Sequence, residues 1–365
     1  MKISANFRRK ALIIFSIFLF GFSEELPKSV IFFIGDGMGV SYISADYYTH
    51  GSTVFSEFDG CALMTVHPNN PDKIITKSSG SASAMATGIK TERYAISVDN
   101  DGNPLETVLE IAKKSGKSVG LVATSKITNA TPAAFAAHNS DRYNEIAIAE
   151  NMIEADVDVM FAGGMDFFLP KQEGGQREDE RNLLKIAANR GDVVARNPEE
   201  ILSFDVEQDN GNWLGFISMD DPGPVQERGI SLKTMMQKAL EKLSKNPNGY
   251  FLMVEGSQID WYGHNNDFPQ IMKEMDEFTE AISFGFELAE HDSEILLLCA
   301  ADHETGGLTI ESGDQVERKI TVDFTTDRHT AEMVVLFWEW NKPIFSSAIV
   351  DNADVGKWLV RWAKK

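Results

Sequence analysis

Carboxylates and imidazoles are concentrated in a few short segments of this chain, together with a run of serines. The segments are IGDGMG at 34–39, EGSQIDWYGH at 255–264, ADHETGG at 301–307 and the region of His329. The serine run, KSSGSASAMATG, spans 77–88. Taken alone, that run is typical of a tightly packed helix start. These segments contain the carboxylates of Asp36, Glu255, Asp260 and Asp302. If the four share one cleft, burying each unpaired charge costs several kcal/mol, so cations must lie among them. The combination indicates metal-assisted phosphoryl transfer to a serine.

Spacing predicts two metal sites with nitrogen and oxygen ligands. Asp260 and His264 are four residues apart, so on a helical turn they share one face. Asp302 and His303 are adjacent at a predicted strand end, where both can turn toward a second ion. His329 is a candidate third ligand, although a lone histidine is usually structural. Nitrogen and oxygen ligands without sulfur suit zinc.

An all-oxygen set is predicted for a further ion. Asp36, Glu255 and Thr131 offer two carboxylates and a hydroxyl, which suit magnesium with bound waters. Two divalent ions about 4 Å apart can activate a nucleophile and stabilise a leaving oxygen. Arg142 could hold two phosphate oxygens in a bidentate contact. The ordinary alternatives are a helix N-cap for Thr131 and a surface arginine for Arg142.

Buried strands are predicted to carry three of these carboxylates. The apolar runs lie at 29–34, 250–254 and 295–300. They end just before Asp36, Glu255 and Asp302 respectively. Ligands of open α/β sheets bind beyond the carboxyl ends of the strands, so we expect the three side chains to share one crevice.

Alternating helices and strands predict an α/β fold. Further strands are predicted at 61–66, 118–123 and 157–161, helices at 104–114, 231–243 and 271–285, an exposed loop at 171–182, and a strand and Trp-rich helix after 333. Helix following strand repeatedly predicts a three-layer sandwich with a central, mostly parallel sheet flanked by helices. We expect residues 24–365 to form one catalytic domain.

Composition excludes some partners. The 55 acidic and 34 basic residues give a net charge of -21, which argues against a nucleic-acid-binding surface or an anionic membrane partner. An anionic substrate therefore needs local positive charge at the site. Cys61 and Cys299 lie in apolar runs, and we expect two buried free thiols, with one disulfide as the alternative.

Residues 1–23 are predicted to be a signal peptide. A basic start precedes an apolar core at 11–22, and Ser23 supplies a small residue for cleavage. An apolar core this short cannot cross a bilayer, which needs about 20 residues. The mature chain is thus expected to lack a membrane anchor and to be periplasmic or secreted.

The ordered motifs resemble the compact bacterial alkaline phosphatases over nearly the whole mature chain. The resemblance implies that Ser78, ten residues before Gly88, is the phosphorylated nucleophile and that Arg142 clamps phosphate. It also implies two Zn²⁺ and one Mg²⁺. The implied ligands are Asp260, His264 and His329 for one zinc, Asp302 and His303 for the other, and Asp36, Thr131 and Glu255 for magnesium, with Asp36 bridging to zinc.

The implied reaction is hydrolysis of small-molecule phosphate monoesters through a phosphoserine, by a chain that forms a homodimer. One alternative is a phosphodiesterase or sulfatase of the same superfamily. Sulfatases need Cys/Ser-x-Pro-x-Arg, which is absent around Ser78, and diesterases usually use threonine. Another alternative is a catalytically inactive, exported protein that binds phosphate or metal.

Three positions depart from the family pattern or vary within it. Lys77 stands where the family usually has an aspartate that orients the arginine, so we expect a less fixed Arg142 and tighter phosphate binding. Asn129 stands where relatives carry Asp or His near magnesium, so we expect altered metal discrimination. Trp261 occupies another position that varies among relatives.

Overall fold

The computed structural model describes residues 26–365, so the signal peptide predicted at 1–23 lies outside the described residues. The strands are β1 (Ser29–Gly35), β2 (Gly60–Thr65), β3 (Ser118–Lys126), β4 (Val159–Gly163), β5 (Val193–Ala195), β6 (Trp213–Phe216), β7 (Tyr250–Gly256), β8 (Ile295–Ala300), β9 (Leu308–Asp314), β10 (Lys319–Phe324), β11 (Val334–Glu339) and β12 (Ile349–Asp351). The helices are α1 (Val40–His50), α2 (Ser78–Thr87), α3 (Val108–Lys114), α4 (Ala130–Ala136), α5 (Glu145–Glu154), α6 (Leu183–Asn189), α7 (Pro198–Leu202), α8 (Leu232–Leu243), α9 (Gln258–His264), α10 (Phe268–His291) and α11 (Asn352–Ala363).

Ten strands form one sheet in the order β12-β2-β11-β8-β1-β7-β3-β4-β6-β5, and β9 and β10 form a separate hairpin. All neighbours in the large sheet run parallel except at β11, which is antiparallel to both β2 and β8. One group of helices, α1, α8, α9 and α10, is held together by mutual contacts. Another group comprises α2, α3, α4 and α11. Helices therefore flank a mostly parallel sheet, as the sequence predicts.

The central strands align the acidic residues. Strand β1 is buried throughout and lies between β7 and β8. Its Ile34 is in register with Glu255 on β7 and with Ala300 on β8. Asp36 and Asp302 lie two residues after Ile34 and Ala300, just beyond the ends of β1 and β8, so all three carboxylates emerge at one edge. The prediction of a shared crevice is confirmed.

Several predicted elements are confirmed within one or two residues. The 295–300 strand has the predicted bounds, and the 231–243 helix begins at Leu232 because the Ser231 side chain caps it. The chain after 333 forms β11 and then, after β12, the helix α11. Trp358 and Trp362 of this Trp-rich helix are buried.

Two predicted elements are wrong in part. The helix predicted at 104–114 begins only at Val108, because Thr107 and Glu110 form a capping box that sets its start. The exposed loop predicted at 171–182 includes a short 3-10 helix and the fully buried Arg177, which pairs with Glu150 and Asp179. Charged residues favour exposure on average, and only the tertiary partners show that this arginine is buried.

The thiol prediction is half correct. Cys61 and Cys299 are both free, and Cys299 is buried, but Cys61 is exposed. Strand β2 alternates buried and exposed side chains from Cys61 onward, so one face of this strand points away from the core. Among residues 26–365, none of the helices has both the length and the apolar character needed to cross a bilayer.

Candidate active site

Ser78 is the first residue of helix α2, directly after Lys77. Every residue of α2 is buried, and the helix packs against α4 and α11. The approach is close: a Cβ on Gly356 of α11 would lie 2.3 Å from the Ala84 carbonyl oxygen. The small residues of α2 thus serve packing, as the ordinary interpretation of this run has it. They also fix Ser78 at the helix start, where backbone N–H groups are free for an anion.

The hydroxyls of Ser78 and its neighbour point to different partners. The Ser78 Oγ lies 3.2 Å from His303 Nε2. The Ser79 Oγ instead donates to the Arg93 carbonyl oxygen at 2.7 Å. Only the first hydroxyl of this pair therefore faces the imidazoles.

Asp36, Asp302 and His303 form the first cluster of possible metal ligands. His303 Nε2 lies 3.2 Å from Asp302 Oδ2 and 3.4 Å from Asp36 Oδ1. Both carboxylate oxygens are buried without a hydrogen-bond partner among the described residues. The other Asp302 oxygen accepts from the backbone N–H of Gly37 and of His303. These contacts orient Asp302 and leave its Oδ2 directed at the imidazole.

Asp260, His264 and His329 form the second cluster. The Nε2 atoms of His264 and His329 lie 3.1 Å apart. They lie 3.5 Å and 3.7 Å, respectively, from the carboxylate oxygens of Asp260. Nδ1 of His264 lies 2.6 Å from the Asp327 carbonyl oxygen, and Nδ1 of His329 lies 3.2 Å from that of Thr76. Because a carbonyl can only accept, each Nδ1 carries the proton. The Nε2 lone pairs then face each other and fit a shared cation.

The two clusters are in contact. The rings of His303 and His329 stack with centroids 3.5 Å apart. The Thr305 hydroxyl donates to Asp260 and lies 3.2 Å from His303 Nδ1, so it links the clusters. Gly37 has φ of +73°, and a Cβ there would lie 2.9 Å from the Asp260 Cα. Only glycine combines this conformation with this close approach.

Glu255 lies in β7, and Thr131 lies in α4, the helix that follows β3. Helix α4 begins at Ala130 and is capped by the Asn129 side chain, so the alternative of Thr131 as an N-cap is wrong. The Thr131 hydroxyl is near enough to lower the Glu255 pKa, yet it makes no hydrogen bond of ordinary geometry with a described residue. It is therefore free to bind a ligand beside the carboxylate.

Burial dominates the electrostatics of the carboxylates. It raises the pKa of Asp36 well above its ordinary value, and the charges of Asp302 and Asp260 raise it further. Burial also raises the pKa of Glu255 to about 8 and that of Asp302 to about 7. Carboxylates buried beside one another are stabilised when a cation lies among them, so this group fits a cation site.

The imidazoles are held neutral by the same burial. Burial lowers the pKa of His329 to about 4 and holds that of His303 well below its ordinary value. The positive charges of Lys77 and Arg142 also lower the His303 pKa, so both cations lie near this ring. Neutral imidazoles are the form that binds metals.

Arg142 is oriented by a residue other than the one before the nucleophile. Its guanidinium donates to Asn129 Oδ1 at 3.0 Å, and its backbone N–H donates to the Tyr94 carbonyl oxygen. Asn129 thus caps α4 and holds the arginine at once. The expectation of a poorly fixed Arg142 overlooked this contact, since sequence spacing alone gives no sign of it.

Sequence reasoning also missed the residues that hold the clusters in place. Glu304 is buried and accepts from the backbone N–H of Gly307 and Leu308 and from the Thr330 hydroxyl. Tyr42 donates to the Thr305 carbonyl oxygen at 2.5 Å. Glu304 and Thr305 sit inside ADHETGG, so the motif itself was the available signal; Tyr42 had none.

A third group of possible ligands, Asp46, His50 and Asp276, was not predicted. His50 Nδ1 lies 3.0 Å from Asp46 and its Nε2 lies 3.4 Å from Asp276. Because each nitrogen faces a different carboxylate, the group links α1 to α10 through the ring. That geometry fits a structural bridge better than one ion with a common centre.

Comparisons with known proteins agree with the geometry of the candidate active site. A family model described as alkaline phosphatase matches residues 27–356. Alkaline phosphatase 3 of Bacillus subtilis is 36% identical over 351 residues, which cover 92% of this chain and 71% of that protein. Alkaline phosphatase 4 of the same organism is 37% identical over 297 residues, covering 78% of this chain and 62% of that protein.

Solved structures give a more complete overlap. The alkaline phosphatase of the Antarctic bacterium TAB5 superposes with a TM-score of 0.83 at 30% identity, covering 93% of this chain and 99% of that one. A mutant of the TAB5 enzyme, described with magnesium bound, gives a TM-score of 0.82 at 30% identity, covering 93% of this chain and 98% of that one. The similarity thus extends over sequence and fold alike.

Proposed function

Because this chain belongs to the alkaline phosphatase family, we propose that it hydrolyses phosphate monoesters to an alcohol and inorganic phosphate with the help of bound metal ions. The observation that carries the proposal is the pair of histidine–carboxylate clusters beside the Ser78 hydroxyl. A serine alone is a weak nucleophile, and cations beside it supply what it lacks.

The donors fit the metals that the resemblance implies. Two nitrogens and a carboxylate at Asp260, His264 and His329 suit one zinc, and the cluster of Asp302 and His303 suits a second. An oxygen set of Asp36, Glu255 and Thr131 suits magnesium. When bound, such ions would lower the pKa of a hydroxyl and neutralise charge on phosphate. Two Zn²⁺ and one Mg²⁺ are therefore part of the proposal.

The protein's own residues have these roles in the proposed reaction. The Ser78 hydroxyl loses its proton, and its oxygen forms a bond to phosphorus while the bond from phosphorus to the alcohol oxygen breaks. A phosphoserine results, and the departing alcohol oxygen takes up a proton from solvent. Arg142 donates N–H groups to the nonbridging oxygens, and free N–H groups at the start of α2 supply further donors. Water then attacks phosphorus, the Ser78 oxygen leaves and regains a proton, and phosphate is released.

A panel of substrates tests this activity. With zinc and magnesium present, an aryl phosphate monoester should be turned over at least about 100-fold faster than the matching diester or sulfate between pH 7 and 10, because the site offers cations for a dianion. Initial rates of the three substrates provide the measurement. Faster turnover of the diester or sulfate would support the corresponding superfamily enzyme instead. Stoichiometric metal binding without turnover would support the inactive relative.

Export and assembly complete the proposal. We infer that residues 1–23 are removed and that the chain from 24 to 365 acts as one catalytic domain in the periplasm or outside the cell, on the basis of the basic and apolar pattern at its start. Homodimer formation is inferred from the resemblance alone. N-terminal sequencing of the exported protein and its mass in solution by light scattering test both points.

The unusual Lys77 leads to a prediction about phosphate. Lys77 is half-buried, and its positive charge reaches His303 and Arg142. Replacing it by aspartate reverses one charge beside the bound anion, so we expect the inhibition constant of inorganic phosphate to rise roughly 10-fold or more. The measurement is competitive inhibition of monoester hydrolysis, with Lys245→Asp as a control on a remote, exposed lysine. Equal constants for wild type and Lys77→Asp would remove the reason for assigning Lys77 to phosphate binding.

A further inference from the structure

A cleft lined by positive side chains lies beside Ser78. Its volume is about 360 Å³. Four cationic residues line it, together with His329. They are Lys73, Lys77, Arg93 and Arg328, and we call this cavity the basic cleft. Asp72 is the acidic residue in its lining, and Ile74 and Ile75 contribute apolar surface.

The basic cleft adjoins the candidate active site through two of its lining residues, Lys77 and His329. Lys77 is the residue before Ser78, and His329 lies against Asp260 in the second metal cluster. The other cations, Lys73 and Arg328, are exposed. A group bound between them would therefore reach outward from the phosphate that reacts.

Most of these cations lack an ionic partner. Within residues 26–365, no ion pair joins Lys73, Lys77 or Arg93 to a carboxylate. Arg328 has one partner, the exposed Asp327, at a distance of 3.6 Å. The Nε of Arg93 is buried and has no hydrogen-bond partner in the described part of the chain. An unpartnered buried donor costs about 1–3 kcal/mol, so a ligand that accepts from it would be favoured.

The cleft also differs in charge from the rest of the protein. The chain has a net charge of -21, yet four cations and one acid line this cavity. The phosphate that reacts already has Arg142 and the proposed metals as partners. Lys77 directly precedes Ser78 and serves that phosphate, whereas Lys73, Arg93 and Arg328 are available for another anionic group of the same substrate. A nucleic acid is a poor fit, since the acidic surface would repel a long polyanion.

We propose that the basic cleft binds a second phosphate group on the substrate, so that the enzyme prefers compact bisphosphates over monophosphates. This inference rests on the proposed phosphatase activity and specifies its substrate class. Arginine and lysine together are the side chains that bind phosphate best, the first through a bidentate fork and the second as a point charge. Ile74 and Ile75 would contact the carbon atoms that join the two phosphates.

The test compares fructose 1,6-bisphosphate with fructose 6-phosphate as probes. For the wild type, we expect kcat/KM of the bisphosphate to exceed that of the monophosphate by about 10-fold beyond the factor of about two for its two esters. The double variant Lys73→Gln/Arg328→Gln should lower this ratio by about 5- to 20-fold and leave monophosphate turnover unchanged. Added salt should also reduce the ratio in the wild type, because the contacts are partly exposed.

A matched control removes two exposed lysines from other surfaces. Lys245→Gln/Lys319→Gln changes the net charge equally but touches no residue of the basic cleft. This control should keep the wild-type ratio. A ratio no greater than the factor of about two in the wild type, or one unchanged in the cleft variant, would overturn the proposal.

Failure of the underlying activity is distinguishable from failure of the cleft. If neither fructose 6-phosphate nor the aryl phosphate monoester is hydrolysed, the proposed function is refuted. The cleft is then judged by calorimetric binding of the same two probes to Ser78→Ala, with and without the cleft substitutions. Tighter binding of the bisphosphate that is lost in the cleft variant supports the site, and equal binding of both probes overturns it.

Discussion

Replacing Ser78 by alanine is expected to reduce turnover of an aryl phosphate monoester by at least about 10³-fold. The Ser78 oxygen is the atom proposed to bond to phosphorus, and its hydroxyl lies 3.2 Å from Nε2 of His303, a member of the first cluster of possible metal ligands. Without it, only direct attack by water remains. Steady-state kcat at saturating substrate is the measurement, made with zinc and magnesium present.

The neighbouring serine provides the matched control. Ser79 is fully buried, and its hydroxyl donates to the Arg93 carbonyl oxygen at 2.7 Å, so Ser79→Ala should change kcat only a few-fold. Acid quenching with labelled phosphate should trap a phosphoserine in the wild type and in Ser79→Ala but not in Ser78→Ala. If Ser78→Ala retains full turnover, the mechanism is wrong, and Ser79 becomes the first alternative nucleophile.

Sequence patterns were strongest where hydrophobic burial decides the structure. The runs that became β1, β7 and β8 are apolar and bounded by polar residues, so their type and limits follow from composition. Parallel pairing then brings Asp36, Glu255 and Asp302 to one edge, because register follows from the sheet and not from contacts among the carboxylates. Much of the candidate site was thus predictable before any side chain was placed.

Patterns were weaker where a long-range partner decides. Asn129 and Arg142 are 13 residues apart, and their hydrogen bond exists only because the chain after α4 returns to the start of that helix. The Thr305 hydroxyl reaches Asp260, and Arg177 is buried only because Glu150 lies opposite. A short stretch of sequence gives no sign of such contacts, since each polar or charged partner alone is typical of an exposed residue.

The same distinction explains Lys77. Local reasoning treats this residue as a departure beside the nucleophile. In the structure, Lys77 lines the same cavity as three other cationic residues, Lys73, Arg93 and Arg328. A single lysine would handicap or tune one serine, whereas four cations around one cavity form a binding surface. The substitution is therefore better understood as part of substrate recognition.

Metal removal should expose the electrostatic cost of the clustered carboxylates. In the metal-free protein, the folded pKa values of Asp302 and Glu255 are about 7 and about 8, above their ordinary values of 3.8 and 4.5. The folded state then binds more protons than the unfolded state, so the free energy of unfolding falls as pH rises through this range. His329 acts in the opposite direction, because its pKa is lowered to about 4, but its contribution is complete above its ordinary value of 6.5.

Between pH 6.5 and 8.5 the buried carboxylates should change the stability most, and His138, whose pKa is raised, acts in the same direction. We therefore expect the metal-free protein to lose about 3 kcal/mol of unfolding free energy over this interval, seen as a fall in Tm of about 4 °C. The protein with zinc and magnesium should keep its Tm, because bound cations favour the ionised carboxylates. Calorimetric scans at each pH, with and without a chelator, measure both. Glu255→Gln removes one of the carboxylates with a raised pKa, so it should flatten the metal-free slope. A metal-free Tm that stays level or rises from pH 6.5 to 8.5 would contradict this account, since the buried carboxylates would then have another source of compensation.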